Sequence, residues 1–72
     1  MQRYVLERAA PAVIVRRGTR TVHIAPAASV VRVIRPLDKL NGLVEVTIDG
    51  QPALMFAQDI RLRGRRVDYE VH

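Results

Sequence analysis

Eleven arginines and one lysine, Lys39, face seven carboxylates, for a formal net charge of +5. Arginine is the cation best suited to phosphate or carboxylate, because its planar guanidinium presents two parallel donors. The arginines gather in two places: Arg16, Arg17 and Arg20 around Gly18, and Arg61, Arg63, Arg65 and Arg66 around Gly64. On a small domain the two clusters can merge into one patch that touches a phosphate backbone. Four to six such contacts would give a log–log salt slope of about −4 to −6. Codon usage in a GC-rich genome is the competing explanation, since it enriches Arg, Ala, Val, Pro and Gly together. Solvated arginine on strand edges also blocks unwanted sheet pairing.

The other reactive side chains form no catalytic set. His23 and His72 are the only histidines, without HxxH or HExxH spacing. Ser29, the only serine, lacks a nucleophile elbow and suits a turn in which it bonds its own backbone. Glu7, Asp38, Glu45, Asp49, Asp59, Asp68 and Glu70 are dispersed along the chain. Asp68 and Glu70 share one strand face and are placed to pair with Arg66 or a cross-strand arginine. Asp59 has the chemistry to cap a helical turn or to favour its start. There is no cysteine, hence no disulfide and no thiolate zinc site, and no glycine-rich phosphate loop occurs. The expectation is a non-enzymatic protein without metal or cofactor.

The elements that position these residues are short. Seventy-two residues form one small domain, which buries only about 60% of its unfolded surface. Hydrophobic residues make up 49% of the chain but aromatic ones only 4%, so the core is aliphatic and rich in the β-branched residues that suit strands. No apolar run approaches the length of a membrane span. The first ten residues carry charges rather than a signal-peptide apolar region, so a soluble, cytoplasmic protein is expected.

Leu43–Leu62 is the most informative stretch. Residues 43–48 alternate, with Val44, Val46 and Ile48 on one face. Asp49-Gly50 signals a hairpin into a return strand over 53–56. Residues 57–63 suit one helical turn, with Phe56 and Ile60 stacked on one face and Gly64 as the residue just past its end. Before that stretch, 2–7 reads as a strand with Tyr4 and Leu6 on one face, helix competing over 1–10, and Pro11 ending either element. Strands over 12–16 and 20–25 flank Gly18, with Val22 and Ile24 expected to face inward. A strand over 30–35 follows, and Leu37 and Leu40 anchor the loop before Asn41-Gly42. Residues 65–71 close the chain as a strand with Val67, Tyr69 and Val71 facing inward.

Turns every eight to twelve residues predict an all-β fold of five to seven antiparallel strands with one helical turn near residues 57–63. That order resembles SH3-like small barrels. Two segments also resemble a pattern in short bacterial proteins of unknown function. The segment from Val22 to Val31 is similar to V-x-I-P-x-G-x-x-V, with Ala28 in place of the pattern's glycine. Gly42, Leu43, Val44, Val46, Asp49, Gly50, Met55, Phe56, Asp59, Ile60, Arg63 and Gly64 are similar to a longer G-L-V-x-V-x-x-D-G pattern. The resemblance implies a shared fold and no activity. The aromatic floor with which SH3 domains grip proline-rich peptides is missing, because Tyr4, Phe56 and Tyr69 are the only aromatics. Two functions are therefore expected: an interaction or assembly module with a protein partner or a second copy, Leu43, Val30 and Ile34 lying on faces opposite the core; or nucleic-acid binding through the arginine clusters.

Overall fold

The computed structural model describes residues 1–37 and 40–67. Its elements in chain order are β1 (Gln2–Leu6), β2 (Ala10–Arg16), β3 (Thr19–Ala25), β4 (Val30–Val33), β5 (Leu43–Ile48), β6 (Gln51–Phe56), α1 (Ala57–Arg63) and β7 (Gly64–Val67). They form one antiparallel sheet in the order β3-β2-β6-β5-β4-β1-β7. The sheet curls, since the short helix α1 touches β1, β2, β6 and β7, which lie toward opposite ends of that order. It does not close among the described residues: β3 and β7 are its two edges. The fold is the expected all-β one, but as an open, curled sheet rather than a sealed barrel.

The core is aliphatic, as composition requires. Leu6, Val31, Val33, Met55 and Ile60 are its fully buried large side chains, with Tyr4, Leu37, Val44 and Val46 beside them. Ile60 comes from α1 and Leu37 from the loop after β4; the others alternate along β1, β4, β5 and β6. Two hairpin turns fix the register. Arg17 and Gly18 have φ of 51° and 77°, and Asp49 and Gly50 have φ of 48° and 85°. Positive φ at both central residues is the twist that a two-residue hairpin requires.

Several expectations are corrected. Pro11 does not end an element but lies within β2. It pairs with Ile24 five steps from the closing pair Arg16–Thr19. In a two-residue hairpin that is a position without hydrogen bonds to the partner strand, so the missing N–H leaves the β2–β3 ladder intact and falls on the side of β6, which β2 meets at Val13 and Leu54. Pro52 likewise lies inside β6, opposite Thr47. The strand expected over 30–35 stops at Val33, leaving Ile34 exposed.

Asp59 does not cap α1. Phe56 holds the N-cap position without a side-chain bond, and Asp59 sits in the first turn, 3.7 Å from Arg63 Nε. Phe56 is largely exposed while Ile60 is fully buried, so the two point to different sides. In β7, Arg66 is exposed and Val67 half-buried, as expected, although the register sets Arg66 opposite buried Tyr4 and Val67 opposite Arg3. Asp68, Tyr69, Glu70 and Val71, with the facing and the pairing expected of them, lie outside the described residues.

The turn between β3 and β4 holds Ala28 at φ 73°. This is the position where the pattern quoted above carries glycine, and the backbone takes the left-handed form with a Cβ present. That form costs an L-residue about 1–2 kcal/mol. Ala28→Gly should therefore raise stability, by up to about 1 kcal/mol after the extra freedom of glycine in the unfolded chain is subtracted. An upward shift of the urea midpoint at unchanged slope checks this; a downward shift contradicts it.

Candidate functional site

The two arginine clusters do not merge. Arg16 and Arg17 stand at the tip of the β2–β3 hairpin, with Arg20 just inside it. Arg63 lies at the opposite end of β2, where its Nη1 donates to the Ala9 carbonyl at 2.8 Å. Seven residues of strand lie between, about 20 Å at roughly 3.3 Å per residue.

The second cluster is bound up in the fold. Arg61 Nη2 donates to the carbonyls of Leu37 and Leu40, at 2.6 and 2.5 Å, and so ties their loop to α1. Arg63 shares its guanidinium between Ala9 and Asp59. Arg65 lies 3.9 Å from Glu7, and Arg66 also has a partner. Arg61 and Arg63 act as struts for loop carbonyls. Arg61→Ala should cost about 1–2 kcal/mol, discounted from a buried charged bond because the side chain is exposed. It should speed amide exchange at Leu40, whose N–H bonds the Leu37 carbonyl at 3.0 Å. Unchanged stability and exchange would show that the loop holds without the strut.

The first cluster stands differently: the side chains of Arg16, Arg17 and Arg20 are exposed and have no hydrogen bond or ion pair among the described residues. The hairpin they crown carries the main surprise. Val22 and Ile24, expected to face inward, are 68% and 64% exposed. Only Ala25 of β3 is buried. Register gives the reason. Ala12 and Ile14 face the core, and their partners across the ladder are His23 and Thr21. Val22 and Ile24 therefore share the outer face with their partners Val13 and Pro11. A period of two says that Val22 and Ile24 go together; it does not say which face is inside. The polar Thr21 and His23 reach the inner face only because that end of the hairpin extends beyond the core.

The outer apolar face continues across the sheet. Val13 opposes Leu54, which opposes Glu45, and Phe56 opposes Leu43. Val15, Phe56 and Leu43 are 50%, 48% and 42% exposed. Val15 and Leu54 line a shallow groove with Pro52 and Ile34. Exposed Leu43 and Ile34 match expectation, and Val30 is half-buried. An apolar outer surface of several strands ending at an open edge is the feature that needs explaining, because isolated exposed apolar residues are ordinary and contiguous ones are not.

The edge itself has a definite pattern. The turn at Arg17-Gly18 makes Arg16–Thr19 a hydrogen-bonded pair, and pairs alternate from there. Thr21 and His23 thus bond inward to Ile14 and Ala12, while the N–H and C=O of Arg20, Val22 and Ile24 point away from β2. His23, a possible ligand or base by type alone, is exposed in this strand. Ser29 Oγ donates to the Pro26 carbonyl at 2.7 Å, the local turn bond expected of it. Among the described residues no group of three or more metal-ligating side chains assembles, and no helix is long and apolar enough to cross a membrane. No protein-family model, curated protein or solved structure matches the chain.

Proposed function

We propose that this protein is a small β-sheet interaction module whose contact surface is the β2–β3 hairpin: the open edge of β3 and the apolar outer face beside it. The observation that carries this reading is the coincidence, on one strand, of outward backbone groups at Arg20, Val22 and Ile24 with exposed apolar side chains at Val22 and Ile24. Strand addition to such an edge draws affinity from main-chain hydrogen bonds and selectivity from alternate side chains. Natural edges are ordinarily blunted by proline, charge or bulges. Here Arg20 is the only charged residue within Thr19–Ala25, and the strand is among the longest in the sheet.

Selection from a random-peptide display library tests the reading. Extended peptides with alternating apolar residues should be enriched, and binding should fall at least tenfold in Val22→Asp and Ile24→Asp. Both sites are exposed, so the variants should keep the stability of the parent. Failure to enrich any peptide, or enrichment indifferent to both substitutions, would count against the surface.

A second reading rests on Arg16, Arg17 and Arg20, whose charges meet no partner among the described residues. Three arginines can neutralise at most about three phosphates, which limits the log–log salt slope for duplex DNA or RNA to about −3. Fluorescence anisotropy at two salt concentrations measures it. A slope of −4 or steeper would require the second cluster to leave its carbonyls and would favour nucleic acid over protein as the partner.

A further inference from the structure

We infer that the occupant of the β3 edge is β3 of a second copy, paired antiparallel about a two-fold axis at Val22. The inference rests on the reading above and goes further, because it names the partner and the register. Three features of the strand select this arrangement.

The first is length. Outward backbone groups fall at Arg20, Val22 and Ile24, symmetrically about Val22. A two-fold at Val22 is the register that pairs all of Thr19–Ala25 with its copy. Each outward residue brings one N–H and one C=O, so the three residues of each copy form six hydrogen bonds between copies: Val22 with Val22, and Arg20 with Ile24 twice over.

The second is charge. In this register Arg20 lies opposite Ile24, so no two cations oppose each other, and the arginine stem can lie along the isoleucine. The Arg16–Arg17 tips fall at opposite ends of the joint ribbon. Seven paired residues separate them by about 20 Å, more than twice the Debye length at physiological ionic strength. A parallel pairing would stack the tips of two chains that each carry a net charge of +5.

The third is the continuity of the apolar face. Val22 and Ile24 of the two copies meet on the outer face that already carries Val13 and Val15. The isologous contact is self-complementary and closes at two chains.

The absence of native cysteine makes the register testable by cross-linking. Val22→Cys places its thiol opposite its own copy, with a Cα separation of about 5.5 Å for a hydrogen-bonded pair, inside the range that a disulfide spans. Thr21→Cys lies opposite His23, so it should cross-link to itself poorly but cross-link readily with His23→Cys when the two variants are mixed. Sedimentation equilibrium of the unmodified chain up to about 1 mM should show a dimer, and Val22→Arg should weaken it at least tenfold while leaving the thermal midpoint of the dilute monomer unchanged. A monomer at every concentration, or self-cross-linking of Thr21→Cys as fast as that of Val22→Cys, overturns the inference. Failure here together with peptide selection that depends on Val22 and Ile24 would leave the strand-adding module standing with a different occupant. Failure of both would remove the module as well.

Discussion

Ile60→Ala should remove about 2–5 kcal/mol of stability and lower the urea midpoint by about 2 M or more, taking a slope near 1 kcal/mol per molar for a chain of this size. A domain of 72 residues holds only about 4–11 kcal/mol in total at the usual per-residue figure, so the substitution approaches unfolding at room temperature. The magnitude follows from where the side chain sits. At seven residues α1 cannot stand on its own propensity. Only Ala57 and Ile60 of α1 are buried, and Ile60 is fully so. Helix α1 touches β1, β2, β6 and β7, so its anchor holds the curl of the sheet. Circular dichroism through a urea titration measures the effect. A loss below about 1 kcal/mol would mean that the site collapses around the smaller side chain and that the helix is held mainly by Arg61 and Arg63.

Gly64→Ala should cost about 1–3 kcal/mol, the usual penalty for forcing volume into a packed site. Conformation is not the cause, because Gly64 has an extended φ of −104°. A Cβ there would stand 2.7 Å from the carbonyl oxygen of Ile60, a backbone atom to which the Gly64 N–H is itself bonded. Relief would require parting α1 from β7 at the point where the chain passes directly from one to the other. Gly18→Ala is the instructive contrast: no atom lies within 4 Å of its added Cβ, and its cost comes from φ 77° alone. Equal urea midpoints for Gly64→Ala and the parent would show that the helix–strand junction yields freely.

Glycine at position 64 was legible in the sequence, but for another reason. A glycine after a helix suggests a left-handed C-cap, whereas here it permits a close backbone approach. The same split runs through the rest of the molecule. Alternation located β1 and β5 and their inward residues, and Asp49-Gly50 located the hairpin into β6, because period and turn chemistry are local. Leu37 and Leu40 were legible as loop anchors. Closure was not legible, since whether the two end strands meet is a long-range property. Nor was the orientation of β3: alternation is blind to which face is covered, and Arg20, Val22 and Ile24 against Thr21, His23 and Ala25 offer two comparable faces.

The candidate site was legible in the same partial way. Both arginine clusters stood out by composition, but composition could not tell a strut from a free cation. Arg61, Arg63 and Arg65 proved to be committed to carbonyls or carboxylates, and Arg16, Arg17 and Arg20 to have no such partner among the described residues. The exposed apolar residues include Leu43 and Ile34, as expected, and also Val22 and Ile24, two residues assigned to the core.

Residue-resolved amide hydrogen exchange across β3 tests the account most directly, measured at about 20 μM and about 1 mM. In the dilute sample Thr21 and His23 should exchange slowly, and Arg20, Val22 and Ile24 rapidly. At the higher concentration the latter three should become protected together, while α1 and β7 stay unchanged. Rapid exchange at Arg20, Val22 and Ile24 in both samples, with new protection elsewhere or none, would contradict the assignment of the β3 edge as the surface on which this protein acts.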